Sequence, residues 1–301
     1  MGRASSVRLL ALFWLLNLVV AVPFSMLLGK TLAESFGGGV MEDRLRDGFD
    51  TEWYGEMEAE AGGLAATFSP AILGAGAVLR NLDDLWSGRI FTAHPALVAM
   101  GVAYALAWTF FLGGALGHLA RDRDPFDSRR FGADAARCFG VLLRLVLISA
   151  VPYLAIFWLA RRLFGWLEDR ARDVTSEQTL VLTYLAAAAI VVGALLLVRL
   201  VFDYAKIAAS RGGRGALRSL LDAVVFVARR PGRTAGLYLG ILILSGLAMA
   251  AYGLLAPEVG PAGIVGIAWA FLLAQAYLIL RLWLRFALLG GEVGLLRELG
   301  G

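Results

Sequence analysis

Six stretches of the chain, at about 9–29, 96–118, 139–160, 180–202, 235–256 and 263–284, run apolar with almost no charge. A helix on the surface of a soluble protein alternates an apolar stripe with a polar face, whereas these stretches are apolar around the whole circumference. Each is long enough to cross a hydrocarbon core of about 30 Å at about 1.5 Å per residue. Helices are expected because lipid offers no partner to a bare peptide group, and the period-two alternation of a barrel strand is missing. The predicted fold is all-α: a polytopic membrane helix bundle of six transmembrane helices, forming one membrane domain over residues 1–301.

The polar segments between these stretches are patterned too. Around 130–142, Arg130, Asp134 and Arg137 share one helical face, with Phe131, Ala135, Cys138, Phe139 and Leu142 on the other. Around 214–225, Arg214, Arg218 and Asp222 form a stripe opposite Leu217, Leu220, Leu221, Val224 and Val225. Both read as interfacial amphipathic helices lying in a head-group layer. The repeated order of span, interfacial helix, arginine and span suggests two related helix pairs in tandem. The loop 31–94 is too long for a plain connection. Within it, Met41–Ala61 carries Leu45, Phe49, Trp53 and Met57 at spacings of four, predicting an acidic surface helix. Ser69 and Pro70 begin a second, shorter apolar segment over 71–86, expected to lie on or dip into the outer leaflet, as a cap over the bundle's end or else as a lid or partner surface.

Basic residues orient the bundle. One side holds Arg3, Arg8, the arginines of 121–137, those from Arg199 to Arg233 with Lys206, and Arg281, Arg285 and Arg297. The other holds about half as many, in 30–89 and 161–172, together with an acidic first loop. The richer side is predicted to be cytoplasmic, with both termini inside. Arg3 and Arg8 before the first span resemble a secretory signal, but Val20-Ala21-Val22-Pro23 has no small-x-small cleavage site, so a retained anchor is expected.

Composition changes the picture only by excluding a soluble protein. The chain is 59% hydrophobic and 17% charged, against about 45–50% and about 25% for soluble domains. Arginine far outnumbers lysine, which occurs only at Lys30 and Lys206, and with the Ala, Gly and Leu richness this composition is associated with bacteria of high-GC genome. Arg214, Arg218, Arg229, Arg230 and Arg233 are candidate contacts for anionic lipid head groups, each worth about 1 kcal/mol near a charged surface. With lipid as the expected partner, alongside possible membrane proteins, no nucleic acid is needed to explain the basic balance, and no base-reading motif accompanies it.

Catalytic and cofactor signals are missing from the sequence. His94 and His118 fall at opposite ends of the second span, too far apart to share a metal. Cys138 is alone, which excludes an internal disulfide. Gly74-Ala-Gly76 lacks a third glycine and a preceding strand, and Arg211-Gly-Gly-Arg-Gly215 fits a turn beside lipid as well as a phosphate cradle. Charge inside a span is more informative, at about 2.5–3.5 kcal/mol per group at the helix centre. Arg199, Asp203, Arg281 and Arg285 form the candidate intramembrane polar cluster, with Asp203 expected to pair with one of the three arginines. Arg144 enters the third span, while Asn17 and Gln275 are expected to hydrogen-bond between helices. Gly113-x-x-x-Gly117 and Gly236-x-x-x-Gly240 predict close helix packing, Pro23 and Pro152 predict a kink or a freed carbonyl, and Thr175 to Gln178 has capping-box spacing.

Phe110-Phe-Leu-Gly-Gly114, Phe131 to Leu145, Asp203-Tyr-Ala-Lys-Ile207, Ala216-Leu-Arg-Ser219 and Arg229-Arg-Pro-Gly-Arg233 together resemble uncharacterised six-span bacterial integral membrane proteins. More loosely they are similar to the non-catalytic membrane region attached to some glycerophosphodiester phosphodiesterases. The resemblance runs from the second span onward, but the soluble catalytic domain of those enzymes has no counterpart in this sequence. It implies a fold and a membrane-embedding role, with no activity to carry over. The expected function is a non-enzymatic scaffold or accessory factor of the bacterial cytoplasmic (inner) membrane. A small permease or lipid-handling transporter is the alternative, and an intramembrane enzyme comes third.

Overall fold

The computed structural model describes residues 7–35, 52, 55, 56, 59, 95–121, 125–171, 176–211, 215–256 and 263–299. Among them the helices are α1 (Val7–Ser35), α2 (Pro95–Ala120), α3 (Ser128–Ala171), α4 (Glu177–Ser210), α5 (Ala216–Arg229), α6 (Pro231–Leu255) and α7 (Gly263–Leu299), with no strand. The fold is all-α, as the absence of alternating patterns requires. All but α5 are long and apolar enough to cross a membrane. On α4, Val181, Leu182, Leu185, Ile190, Val192 and Leu197 are all exposed. Water would penalise so much open apolar surface, while acyl chains accept it, so the chain is a multi-pass membrane protein.

The helices extend past the apolar stretches that seed them. α3 starts about eleven residues before its apolar run and continues unbroken for 44 residues, about 66 Å of helix against a core of about 30 Å. The amphipathic helix expected around Arg130–Leu142 is therefore the first part of α3, without a break. Strong helix formers and the absence of glycine or proline between Asp134 and Gly140 favour this continuity. α5 is a separate helix of 14 residues, as expected. Both α1 and α3 remain helical through Pro23 and Pro152. The start of α4 is capped one residue later than the sequence spacing indicates: the Ser176 hydroxyl accepts from the Thr179 amide at 3.4 Å, and Thr175 lies outside the described residues. In the first loop, Glu52, Gly55, Glu56 and Ala59 are helical and exposed, in keeping with the acidic surface helix. The remainder of that helix, the 71–86 segment and His94 lie outside the described residues.

The chain divides into two compact units. Unit 1 comprises Trp108–Gly240 with Leu288–Gly301. Its core gathers Leu116, Phe131, Leu142, Leu145, Tyr204, Ile207 and Leu289, and α4 packs on both α3 and α5. Unit 2 comprises Gly2–Ala107 with Ile241–Ala287. Phe13 and Phe286 meet edge to face in it at 4.8 Å between centroids, and Tyr252 stacks on Tyr277 at 4.7 Å.

Candidate functional site

Within unit 1, the glycine motif of α2 determines where the first buried charge sits. A Cβ at Gly113 would press on Ala135 and Cys138, one at Gly114 on the Phe131 ring, and one at Gly117 on the Asp134 carboxylate. Only a residue without a side chain permits α3 to come this near. Asp134 is thereby buried, with Arg121 at 2.6 Å and Arg137 at 3.0 Å from its two oxygens. Its expected place on a solvated polar face is corrected: Asp134 shares the buried face with Phe131, Ala135, Cys138 and Leu142. The second motif behaves differently, since nothing lies within 4 Å of a Cβ built at Gly236 or Gly240. The close approach near that helix is made by Gly291 against Leu237.

A second buried acid, Asp203, lies at 1% exposure on α4. Lys206, one turn on, donates to its Oδ1 at 2.8 Å, and Arg199, one turn back, stands 3.9 Å from Oδ2. Arg199 is one of the three expected partners, while the closer Lys206 is a partner sequence reasoning missed. Arg199 also sits over the Tyr238 ring at 6.0 Å. Next to Asp203, Tyr204 is fully buried, its ring against Phe226 at 5.2 Å. Neither its hydroxyl nor that of Ser219 on α5 has a hydrogen-bond partner among the described residues. The carboxylate of Glu292 on α7, at 1% exposure, acts electrostatically on both Tyr204 and Tyr238. Glu292 escaped sequence reasoning because it follows the last apolar stretch. Its signal is a single acid framed by Leu288, Leu289, Val293 and Leu295.

Two further contacts join these helices. Arg211, just past α4, donates to the carbonyls of Val293 and Leu296 at 3.3 Å each, the second being an orphan acceptor of the last turn of α7. Burial first, and then Arg297, pushes the Arg211 pKa down from its ordinary value, yet a guanidinium stays charged there. Cys138 is buried, with its thiol 4.0 Å from the Ser210 carbonyl, so α3 and α4 touch at that level.

α5 presents three faces rather than two. Ala216, Ser219, Ala223 and Val227 are buried as a small-residue face, Leu217, Leu221 and Val224 are exposed, and Arg218 and Arg229 border the exposed stripe. The expected polar-against-apolar division is corrected accordingly, since small side chains bring α5 close to α4 and leave the large ones outside. Arg144, Arg218, Arg229 and Arg233 are exposed and make no ion pair or hydrogen bond among the described residues, whereas Arg230 lies over Phe226 at 5.8 Å. Arg214 lies outside the described residues. Between α3 and α5 opens a groove of about 470 Å³, lined by Arg144, Leu147, Ile148, Gly215, Ala216, Leu217 and Arg218.

Arg281 and Arg285, the other members of the expected cluster, belong to unit 2. Both charges act on Tyr104, whose hydroxyl donates to Asn17 Oδ1 at 2.9 Å. Trp14 donates to Gln275 Oε1 at 2.8 Å, so both Asn17 and Gln275 bond between helices as expected. His118 is buried with its ring 5.6 Å from Phe126. Among the described residues no three His, Cys, Asp or Glu side chains converge as metal ligands would. Set against protein-family models, curated proteins and solved structures, the chain matches none of them.

Proposed function

We propose that this chain is a scaffold or accessory factor of a bacterial cytoplasmic membrane, with both termini inside and its surfaces open to lipids and membrane proteins. The observation that carries the reading is the use made of buried charge in unit 1. Asp134 and Asp203 are each held by two cations within a turn or a neighbouring segment. Such pairs let a buried carboxylate keep its charge, Arg121 ties the end of α2 to α3, and breaking them is costly, which suits a structural part better than a gate. Glycerophosphodiester phosphodiesterase membrane regions, to which the sequence bears a loose resemblance, fit the same embedding role.

Reporter fusions after Arg123, after Gly213 and at the C-terminus should signal cytoplasm, and fusions near Glu58 and Arg172 the outside; a periplasmic signal at Gly213 overturns the topology. Function is tested at Asp203→Asn. A scaffold loses thermal stability in detergent with this change. A variant of full stability that has lost a transport or growth phenotype would reject the scaffold and favour the permease or lipid-handling alternative. That alternative is supported by the buried hydroxyl of Tyr204, on which the Glu292 charge acts, and by the buried hydroxyl of Ser219.

A further inference from the structure

We propose that the groove between α3 and α5 is a binding site for an anionic phospholipid, its phosphate shared by Arg144 and Arg218 and its acyl chains lying along Leu147, Ile148 and Leu217. Two independent features of the groove fix this chemistry. The first is charge without a counter-ion. Asp134 and Asp203 have their cations close by, whereas Arg144 and Arg218 have no ion pair or hydrogen bond among the described residues. Arg229 and Arg233 are likewise unpaired among the described residues, but Arg144 and Arg218 line the groove. Arg144 also lies within the apolar stretch 139–160, where a lone charge is costly and a lipid phosphate is the available anion.

The second feature is the wall. Arg144, Leu147 and Ile148 fall on one face of α3 at spacings of three and four. Leu147 is 65% exposed and Leu217 66% exposed. Two guanidiniums above an open leucine wall complement an anionic amphiphile: a free inorganic anion leaves the wall unused, and a neutral lipid leaves both charges unanswered. The first turn of α5 adds in the same sense, because its Gly215 cap contributes no side chain to the leading amides. The inference requires only that the chain resides in a membrane, so its failure would leave the scaffold reading standing.

The test uses the full chain purified in detergent doped with phosphatidylglycerol or with phosphatidylcholine of the same acyl length, bound lipid being counted by native mass spectrometry. Phosphatidylglycerol should be retained preferentially. Replacing both groove arginines (Arg144→Gln with Arg218→Gln) should weaken retention about thirtyfold, at about fivefold per charge, and Arg144→Lys with Arg218→Lys should restore most of it. An equal loss from Arg229→Gln with Arg233→Gln, outside the groove, would reduce the effect to general surface charge and overturn the site. Displacement of the lipid by millimolar inorganic phosphate would overturn the assignment to a lipid. Should the double variant fail to fold, photoreactive phosphatidylglycerol on the unaltered protein decides: label on 144–148 or 215–218 supports the site, and label confined to other segments rejects it.

Discussion

The two units solve the problem of polar side chains in apolar surroundings by different chemistry. Unit 2 joins helices with neutral partners, an indole to an amide between Trp14 and Gln275 and a phenol to an amide between Tyr104 and Asn17. Unit 1 buries full charges, Asp134, Asp203 and Glu292 among them. Neutral bonds between membrane helices contribute about 0.6 kcal/mol on average, because the separated helices also find partners. A buried ion pair is fragile in another way: its net contribution is small, but removing one member strands the other. Unit 1 should therefore be sensitive to single substitutions where unit 2 is tolerant.

Asp203→Asn should have the largest effect, lowering stability by about 3 kcal/mol, since an amide no longer balances Lys206 at 17% exposure. A double-mutant cycle refines the point. Coupling of Asp203 to Lys206 at 2.8 Å should exceed its coupling to Arg199, which is 3.9 Å away and 46% exposed. Additivity with both would remove Asp203 from any pair. Gly117→Ala comes next, at about 2 kcal/mol, because the new methyl occupies the Asp134 carboxylate's place; an unchanged melting temperature in detergent would mean that α2 and α3 do not approach as described. Gln275→Leu, which removes a neutral bond of unit 2, should cost only about 0.6 kcal/mol, and a loss as large as that of Asp203→Asn would erase the contrast between the units. The smallest effect belongs to Gly236→Ala. With open space around its Cβ it should be neutral or stabilising by up to about 1 kcal/mol, and destabilisation would reveal a helix packed there.

Much of this architecture was legible because membrane spans are written in composition: a run of apolar residues is a helix in lipid whatever its neighbours do. The extent of α3 was harder to read, since the residues of 128–138 are equally at home in a short interfacial helix. Burial was harder still. Asp134 carries the same amphipathic signature as an exposed residue, and only glycines on another helix, at Gly113 and Gly117, bring it inside. Arg199 and Asp203 are matched by their spacing, and Lys206 lies at the equally short spacing of three on the other side, which makes the pairing local to α4. Hydrophobicity alone does not point to the buried face of α5, which is Ala216, Ser219, Ala223 and Val227. In lipid, large apolar side chains gain little from burial, and small ones win the contact with α4.

Pro152 gives α3 a mechanical property that its unbroken length conceals. Proline donates no hydrogen bond to the carbonyl four residues earlier, which is that of Ile148 in the groove wall. The helix is thus a lever with a compliant joint, and its longer arm reaches from Pro152 to Ser128, about 36 Å. A bend of about 10° at the joint would swing the Ser128 end by about 6 Å. Arg144, Asp134 and Arg137 all ride on that arm, so such a bend would move the Arg144 wall of the groove and the Asp134–Arg137 pair together, against Arg121 beyond the end of α2.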